Sequence, residues 1–141
     1  MPDECKLRIE AACAAWEAGN LAGVVADCAE DVEFFVHAPA HAPSFVGRGR
    51  GKAELVRRLG DYLRHIKVMY YEPLLPISRL RNGALRCRVH FVYRHRTKSL
   101  EIEGTMRQLW RFEDGKVVRL DIFYDALGMR AFYDLVDNVG V

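Results

Sequence analysis

Residues Arg107 to Asp125 read RQLWRFEDGKVVRLDIFYD, two alternating arms joined by Glu-Asp-Gly and closing on an aromatic pair with an aspartate. Apolar side chains recur at every second position on both arms, the period of a strand with one buried face. Asp114-Gly115 supplies the positive backbone angles that a tight turn requires, so the stretch predicts a hairpin. Two registers are open, and they disagree about Asp121. A three-residue loop, Glu113-Asp114-Gly115, aligns Met106, Gln108, Trp110 and Phe112 with Val118, Leu120, Ile122 and Tyr124 and leaves Asp121 opposite Arg107 on the outer face. A two-residue loop, Asp114-Gly115, sets Asp121 beside Gln108 on the inner face. Register follows the hydrophobic pattern, and the first arrangement separates apolar from polar residues better, so it is the one expected.

Working back toward the N-terminus, Asn82-Gly83 is a second strong hairpin signal. Another turn falls near Thr97-Lys98. Placing Arg94 opposite Glu101 puts Cys87, Val89, Phe91, Tyr93 and His95 on one face with Leu100, Ile102, Met106 and Gln108, while Arg88, His90 and Arg94 point the other way. Val32 to Val36 is β-branched and aromatic and reads as the first strand. Beyond that strand, the prolines of His37-Ala-Pro-Ala-His41-Ala-Pro43 predict an irregular segment. Gly51 opens a helix whose Leu55, Leu59, Tyr62, Leu63 and Ile66 form one apolar stripe. Nearer the start, Cys5, Ile9, Ala12, Cys13 and Trp16 follow helical spacing from Pro2 to Ala18, with Asp3 as cap and Gly19 as stop. Asn20 can cap a short second helix running to Cys28. At the other end, Ala126 to Val136 is apolar at helical intervals and predicts a closing helix.

Length and charge narrow the class. The 141 residues fit one domain spanning 1–141, large enough for a core without a staple. A formal charge of +2 does not by itself imply nucleic acid. The charged opening decapeptide does not resemble a signal peptide, and no apolar run is long enough to span a membrane, so a soluble cytoplasmic protein is expected. The four cysteines are scattered, without Cys-x-x-Cys, which suits reduced thiols.

Other chemistries find little support. His37 and His41 are separated by Pro39, which blocks the helical geometry that would join both rings on one ion, so no metal is expected. Cys87 has no histidine at the adjacent inward position and reads as a small packed residue. Val46-Gly-Arg-Gly-Arg-Gly-Lys52 lacks the spacing of a phosphate loop, and Ala53 stands where Ser or Thr is needed, so it reads as a flexible approach to a helix. The outward Arg88, Arg94, Arg107, Arg111 and Arg119 suggest an interface or an anion-binding surface. Because Glu101, Glu103 and Asp121 interleave with them and no aromatic platforms do, no nucleic-acid partner is expected.

Gly19 to Leu21 after a helix, Ala29-Glu30-Asp31-Val32 entering a strand, Gly51-Lys-Ala-Glu-Leu55 opening a helix, and Phe112-Glu-Asp-Gly-Lys-Val-Val-Arg119 ending in Tyr124-Asp125 carry a resemblance. Over about Ala11 to Leu135 the chain resembles the SnoaL-like polyketide cyclase family of the nuclear transport factor 2-like superfamily. The resemblance implies an α+β cone: a curved, mostly antiparallel sheet wrapped around N-terminal helices and a pocket, often as a homodimer through the sheet. It implies a small apolar molecule as partner and a reaction without cofactor.

By position, the cyclases of that family use an acidic residue on the last strand, where this sequence has Asp121. The steroid isomerases place a carboxylate near Val36 to Ala38, where only His37 is ionisable, and a second acid at the position of Gln108. Glutamine donates a hydrogen bond but exchanges no proton, so the isomerase pattern is broken. The resemblance thus implies acid/base chemistry of cyclase or isomerase type, with His37 or Asp121 moving a proton and Gln108 polarising an oxygen. Trp16, Tyr62, Cys87, Phe91, Tyr93, Met106, Trp110, Ile122 and Tyr124 are the candidate substrate contacts. Each has a plainer reading. Asp121 would pair with Arg107, His37 would cap backbone groups, and the aromatic rings would be core. The rival function is a non-catalytic ligand- or protein-binding module of the same fold.

Overall fold

The computed structural model describes residues 3–37, 47–97, 99 and 101–124. The irregular segment expected after His37, Lys98, Leu100 and the helix expected over Ala126 to Val136 lie outside those residues, as does the side chain of Tyr124. Helix α1 (Glu4–Glu17) starts where the Asp3 carboxylate accepts the Cys5 N–H at 2.9 Å and stops before Gly19, whose φ is 73°. Asn20 caps α2 (Leu21–Val24), which ends earlier than expected because the chain is already in strand β1 (Cys28–His37) from Cys28. Strand β2 (Gly47–Arg50), helix α3 (Lys52–His65), and strands β3 (Ile66–Arg79), β4 (Leu85–His95), β5 (Glu101–Glu113) and β6 (Lys116–Tyr124) complete the order.

The strands form one sheet in the order β2-β1-β6-β5-β4-β3, antiparallel throughout except for the parallel pair β1 and β6. The sheet is curved and mostly antiparallel, and the N-terminal helices cover its concave face. Ile9, Cys13 and Trp16 of α1 and Leu55 and Tyr62 of α3 are buried there against Val89, Phe91 and Tyr93 of β4. Arg94 stands opposite Glu101, as the pattern requires, with a 3.3 Å contact between them.

Two expectations are corrected by the structure. Gly47–Arg50 is an edge strand paired with β1 and not a flexible approach. The reason is a close approach: a Cβ at Gly49 would sit 2.3 Å from the Phe34 ring, so only glycine lets that ring lie across β2. The second concerns the last hairpin. Its loop has two residues, Asp114 and Gly115, with φ of 50° and 76°, and Glu113 faces Lys116. Continued strictly, that loop would turn Asp121 inward. A bulge at Val118 adds one residue to β6, so Arg111 faces Arg119, Gln108 faces Ile122 and Asp121 faces Leu109. Asp121 points outward as expected, but its cross-strand neighbour is Leu109, and the expected pair with Arg107 is not formed.

Candidate functional site

Between the helices and the sheet lies a cavity of about 100 Å³. From α1 it is lined by Cys13 and Trp16, and from α3 by Leu55, Arg58 and Tyr62. The sheet contributes Phe34, Tyr71, Tyr93 and then Met106, Gln108 and Trp110, with Leu120 and Ile122 at β6. The wall is aromatic and aliphatic because the strand alternation sends every second residue of β4, β5 and β6 inward. Trp16 stacks on Tyr62 with centroids 6.0 Å apart, and its Nε1–H donates to the Tyr93 hydroxyl at 3.2 Å.

One polar chain crosses this wall. The Trp110 Nε1–H donates to Gln108 Oε1 at 2.9 Å, and Gln108 Nε2 donates to the Tyr71 hydroxyl oxygen at 2.6 Å. An indole N–H only donates, so it fixes the orientation of the amide and leaves the NH₂ toward Tyr71. The Tyr71 O–H in turn points at Met106 Sδ, 3.4 Å away, and a thioether is a weak acceptor. Gln108 is 2 % exposed, so each of these groups would be costly to leave unmatched. Tyr71 is a lining residue that the sequence pattern does not single out. The signal available is its place on an edge strand with inward neighbours at Val68 and Ile66, but the irregular register of β3 between Val68 and Tyr70 hides the alternation.

His37 and Asp121 are brought together, but on the opposite face. In the parallel pair β1 and β6, Phe35 stands beside Asp121 and His37 beside Phe123. The imidazole is stacked between the Phe35 and Phe123 rings, with centroids 3.9 and 4.0 Å away. His37 Nε2 lies 3.0 Å from Asp121 Oδ1, and Arg119 donates to the same carboxylate at 2.8 and 3.2 Å. Burial alone would push the Asp121 carboxyl up, but the hydrogen bonds from Arg119 and His37 outweigh it and hold it below the usual carboxylate range. A carboxylate so held is a weak base. Neither residue lines the cavity.

The remaining sequence candidates divide cleanly. Trp16, Tyr62, Tyr93, Met106, Trp110 and Ile122 line the cavity beside Gln108. Cys87 and Phe91 are buried behind the lining. The Cys13 thiol faces the cavity, but its contact with Cys87, and then burial, push its pKa up, so it is held protonated and is no nucleophile at neutral pH.

Residues 9–120 match the model of the SnoaL-like domain. The chain belongs to the SnoaL-like family. Among solved structures, this SnoaL-like chain is similar to TerC co-crystallised with polyporic acid, at 15% identity and a TM-score of 0.78, over 96% of this chain and 100% of that one. It is similar to an NTF2-like protein of unknown function from Burkholderia pseudomallei, at 16% identity and a TM-score of 0.76, over 99% and 100% of the two chains. A protein of ketosteroid isomerase-like fold from Catenulispora acidiphila, in complex with trimethylamine, is similar at 14% identity and a TM-score of 0.71, over 86% and 88%. At these identities the likeness shows the fold. No curated protein matches the chain. No helix among the described residues is long and apolar enough to cross a membrane.

Proposed function

We propose that this SnoaL-like protein binds a small apolar molecule carrying an oxygen in the cavity, and that Tyr71, backed by Gln108 and Trp110, polarises that oxygen. The hydrogen-bond chain from Trp110 to Tyr71 carries the reading. It supplies the phenol oxygen with a donor and leaves the phenol hydrogen directed at a thioether. A carbonyl oxygen is a stronger acceptor than sulfur, so a ligand that brings one gains a hydrogen bond and costs the protein little. Volume limits the guest. A dry apolar cavity of ~150 Å³ takes a benzene ring, and about 100 Å³ is somewhat smaller, so a single ring is the upper limit and a short chain fits more easily.

Polarising a carbonyl oxygen acidifies the neighbouring carbon, which is the first requirement of cyclase- or isomerase-type chemistry without a cofactor. Removing the carbon-bound proton needs a base as well. The described lining contains no carboxylate or imidazole, and His37 and Asp121 sit across the sheet. That separation favours the second reading, a binding module that holds its ligand without turnover.

Single-ring ketones and phenols in a thermal-shift screen test the shared part. Ligand at ~100 times its dissociation constant adds ~2.7 kcal/mol, a shift of several degrees for a chain of this size. Tyr71→Phe should abolish the shift for ketones. Hydrogen–deuterium exchange at the carbon beside the carbonyl, followed by NMR, then separates the two: catalysed exchange supports the enzyme, and binding without exchange supports the module. A screen with no shift in any class overturns the cavity reading.

A further inference from the structure

Helix α3 brings a charge to an otherwise uncharged cavity wall. Leu55, Arg58, Leu59 and Tyr62 follow helical spacing and share the face of α3 that lines the cavity. Among the described lining residues Arg58 is the one charged side chain, and at 18% exposed its head lies at the cavity edge, within reach of water. Its guanidinium carbon stands over the Phe34 ring, 5.3 Å from the centroid, and Phe34 itself lines the cavity. Arg57 and Arg64 point to solvent from the same helix.

The plainest role for such an arginine is to lay its stem along the apolar wall and anchor its head on an acid. Arg58 Nε does donate to Glu54 Oε1 at 2.9 Å. Glu54, however, is also held by Arg57 in a two-pronged contact at 3.0 and 2.6 Å. Along this helix Arg57, Arg58 and Arg64 share the carboxylates of Glu54 and Asp61, so the cluster of described side chains carries one positive charge in excess. Positive charge at the edge of a poorly solvated cavity attracts an anion more strongly than the same charge in open water. A guanidinium is weakly hydrated and forked, and it suits a carboxylate.

We propose that the cavity selects a short oxo acid, whose carboxylate pairs with Arg58 while its carbonyl oxygen takes the hydrogen bond from Tyr71. This ligand class rests on the oxygen-binding cavity proposed above. Spacing and volume both support it. Arg58 stands over Phe34 on β1, and the Tyr71 hydroxyl meets Gln108 on β5, with β6 between the two strands. Two strand spacings are ~10 Å, and a hydrogen bond of ~2.8 Å at each end leaves ~4–5 Å between the two ligand oxygens. About two methylene groups between carboxylate and carbonyl provide that span. A chain so short also fits a cavity of about 100 Å³.

NMR titration of the full chain with levulinate, methyl levulinate and valerate tests the assignment. Levulinate carries both groups, its ester lacks the charge, and valerate lacks the ketone oxygen. Levulinate should bind roughly ten- to a hundredfold tighter than the ester, the effect of a hydrogen bond to a charged partner. Arg58→Gln should bring that ratio close to one, and Arg58→Lys, which keeps the charge without the fork, should retain part of it. Arg64→Gln removes the same charge from the solvent side of α3 and should leave the ratio unchanged. Should Arg58→Gln fail to fold, the ratios in the parent and in Arg58→Lys decide. Ester binding as tight as levulinate overturns the oxo-acid class and leaves the oxygen-binding cavity standing. A levulinate preference that survives in Arg58→Gln overturns the role of Arg58. Valerate binding as tight as levulinate, or no binding by any of the three, overturns the oxo-acid class and the Tyr71 contact together.

Discussion

The two faces of the sheet are built from the same strands, and their chemistry could hardly differ more. On β5, Met106, Gln108 and Trp110 face the helices, while Arg107, Leu109 and Arg111 face away. The concave face matches buried donors to acceptors, Trp110 to Gln108 and on to Tyr71, and Trp16 to Tyr93, because a buried donor left without an acceptor costs ~1–3 kcal/mol. The convex face tolerates an arginine opposite an arginine, because water and salt screen exposed charges. Position on the strand thus decides how strictly each polar group must be matched. Tight matching on one side suits recognition of one small oxygen, whereas the other side mixes paired and unpaired charges in reach of water.

The largest effect should come from breaking the matched face. Gln108→Leu removes the acceptor for the Trp110 N–H and the donor to Tyr71. Leaving that indole N–H buried without a partner should cost ~1–3 kcal/mol, whereas Arg111→Ala on the convex face should stay within ~0.5 kcal/mol. Urea unfolding of both variants measures the contrast. Equal losses would mean that water reaches the Gln108 site and satisfies the indole, and the cavity would then be wetter than its lining implies.

A smaller effect is expected where the convex face is itself organised. Asp121 is only 8 % exposed and is held by Arg119 and His37, so its carboxyl lies below its ordinary range in the folded chain. A group whose folded pKa is depressed stabilises the fold above its unfolded pKa of ~3.9, and that contribution disappears as pH falls through the lower folded value. Asp121→Asn should therefore unfold at lower urea than the parent near neutral pH, and the gap should narrow as pH drops below ~4. A gap that stays constant with pH would show that packing against Phe35 and Phe123, and not ionisation, holds this corner.

Much of this architecture was legible in the sequence, and the exceptions have common causes. Alternation gave the β4 and β5 pairing down to Arg94 opposite Glu101, because both strands run without interruption. It also gave the inward set from Cys87 to His95 and, on β5, Ile102, Met106 and Gln108. The partner of Asp121 was not legible, since the Val118 bulge leaves no mark in the apolar pattern and shifts every later pair. Nor was the meeting of His37 with Asp121. It depends on parallel pairing of the first and last described strands, 84 residues apart between those two side chains. Tyr71 escaped because β3 is irregular, and Gly49 because a glycine chosen for the approach of Phe34 looks the same in sequence as one chosen for a flexible loop. The candidate site was thus read correctly where it depends on regular alternation. It was missed where an inserted residue or a distant strand sets the geometry.

The smallest effect tests the unmatched charge directly. If the Arg88 and Arg107 guanidinium groups repel each other in the free protein, Arg107→Thr should raise its stability by ~0.2–1 kcal/mol, since a β-branched residue also fits a strand well. Exposure keeps the gain at the lower end, and salt should erase the electrostatic part of it. Melting temperatures of parent and variant measured across a salt series separate the two contributions, because strand propensity does not respond to screening. A gain that shrinks with salt marks repulsion stored between the two guanidinium groups. A gain that ignores salt would mean that the two side chains splay apart into solvent, and the convex face would then hold no electrostatic strain to release.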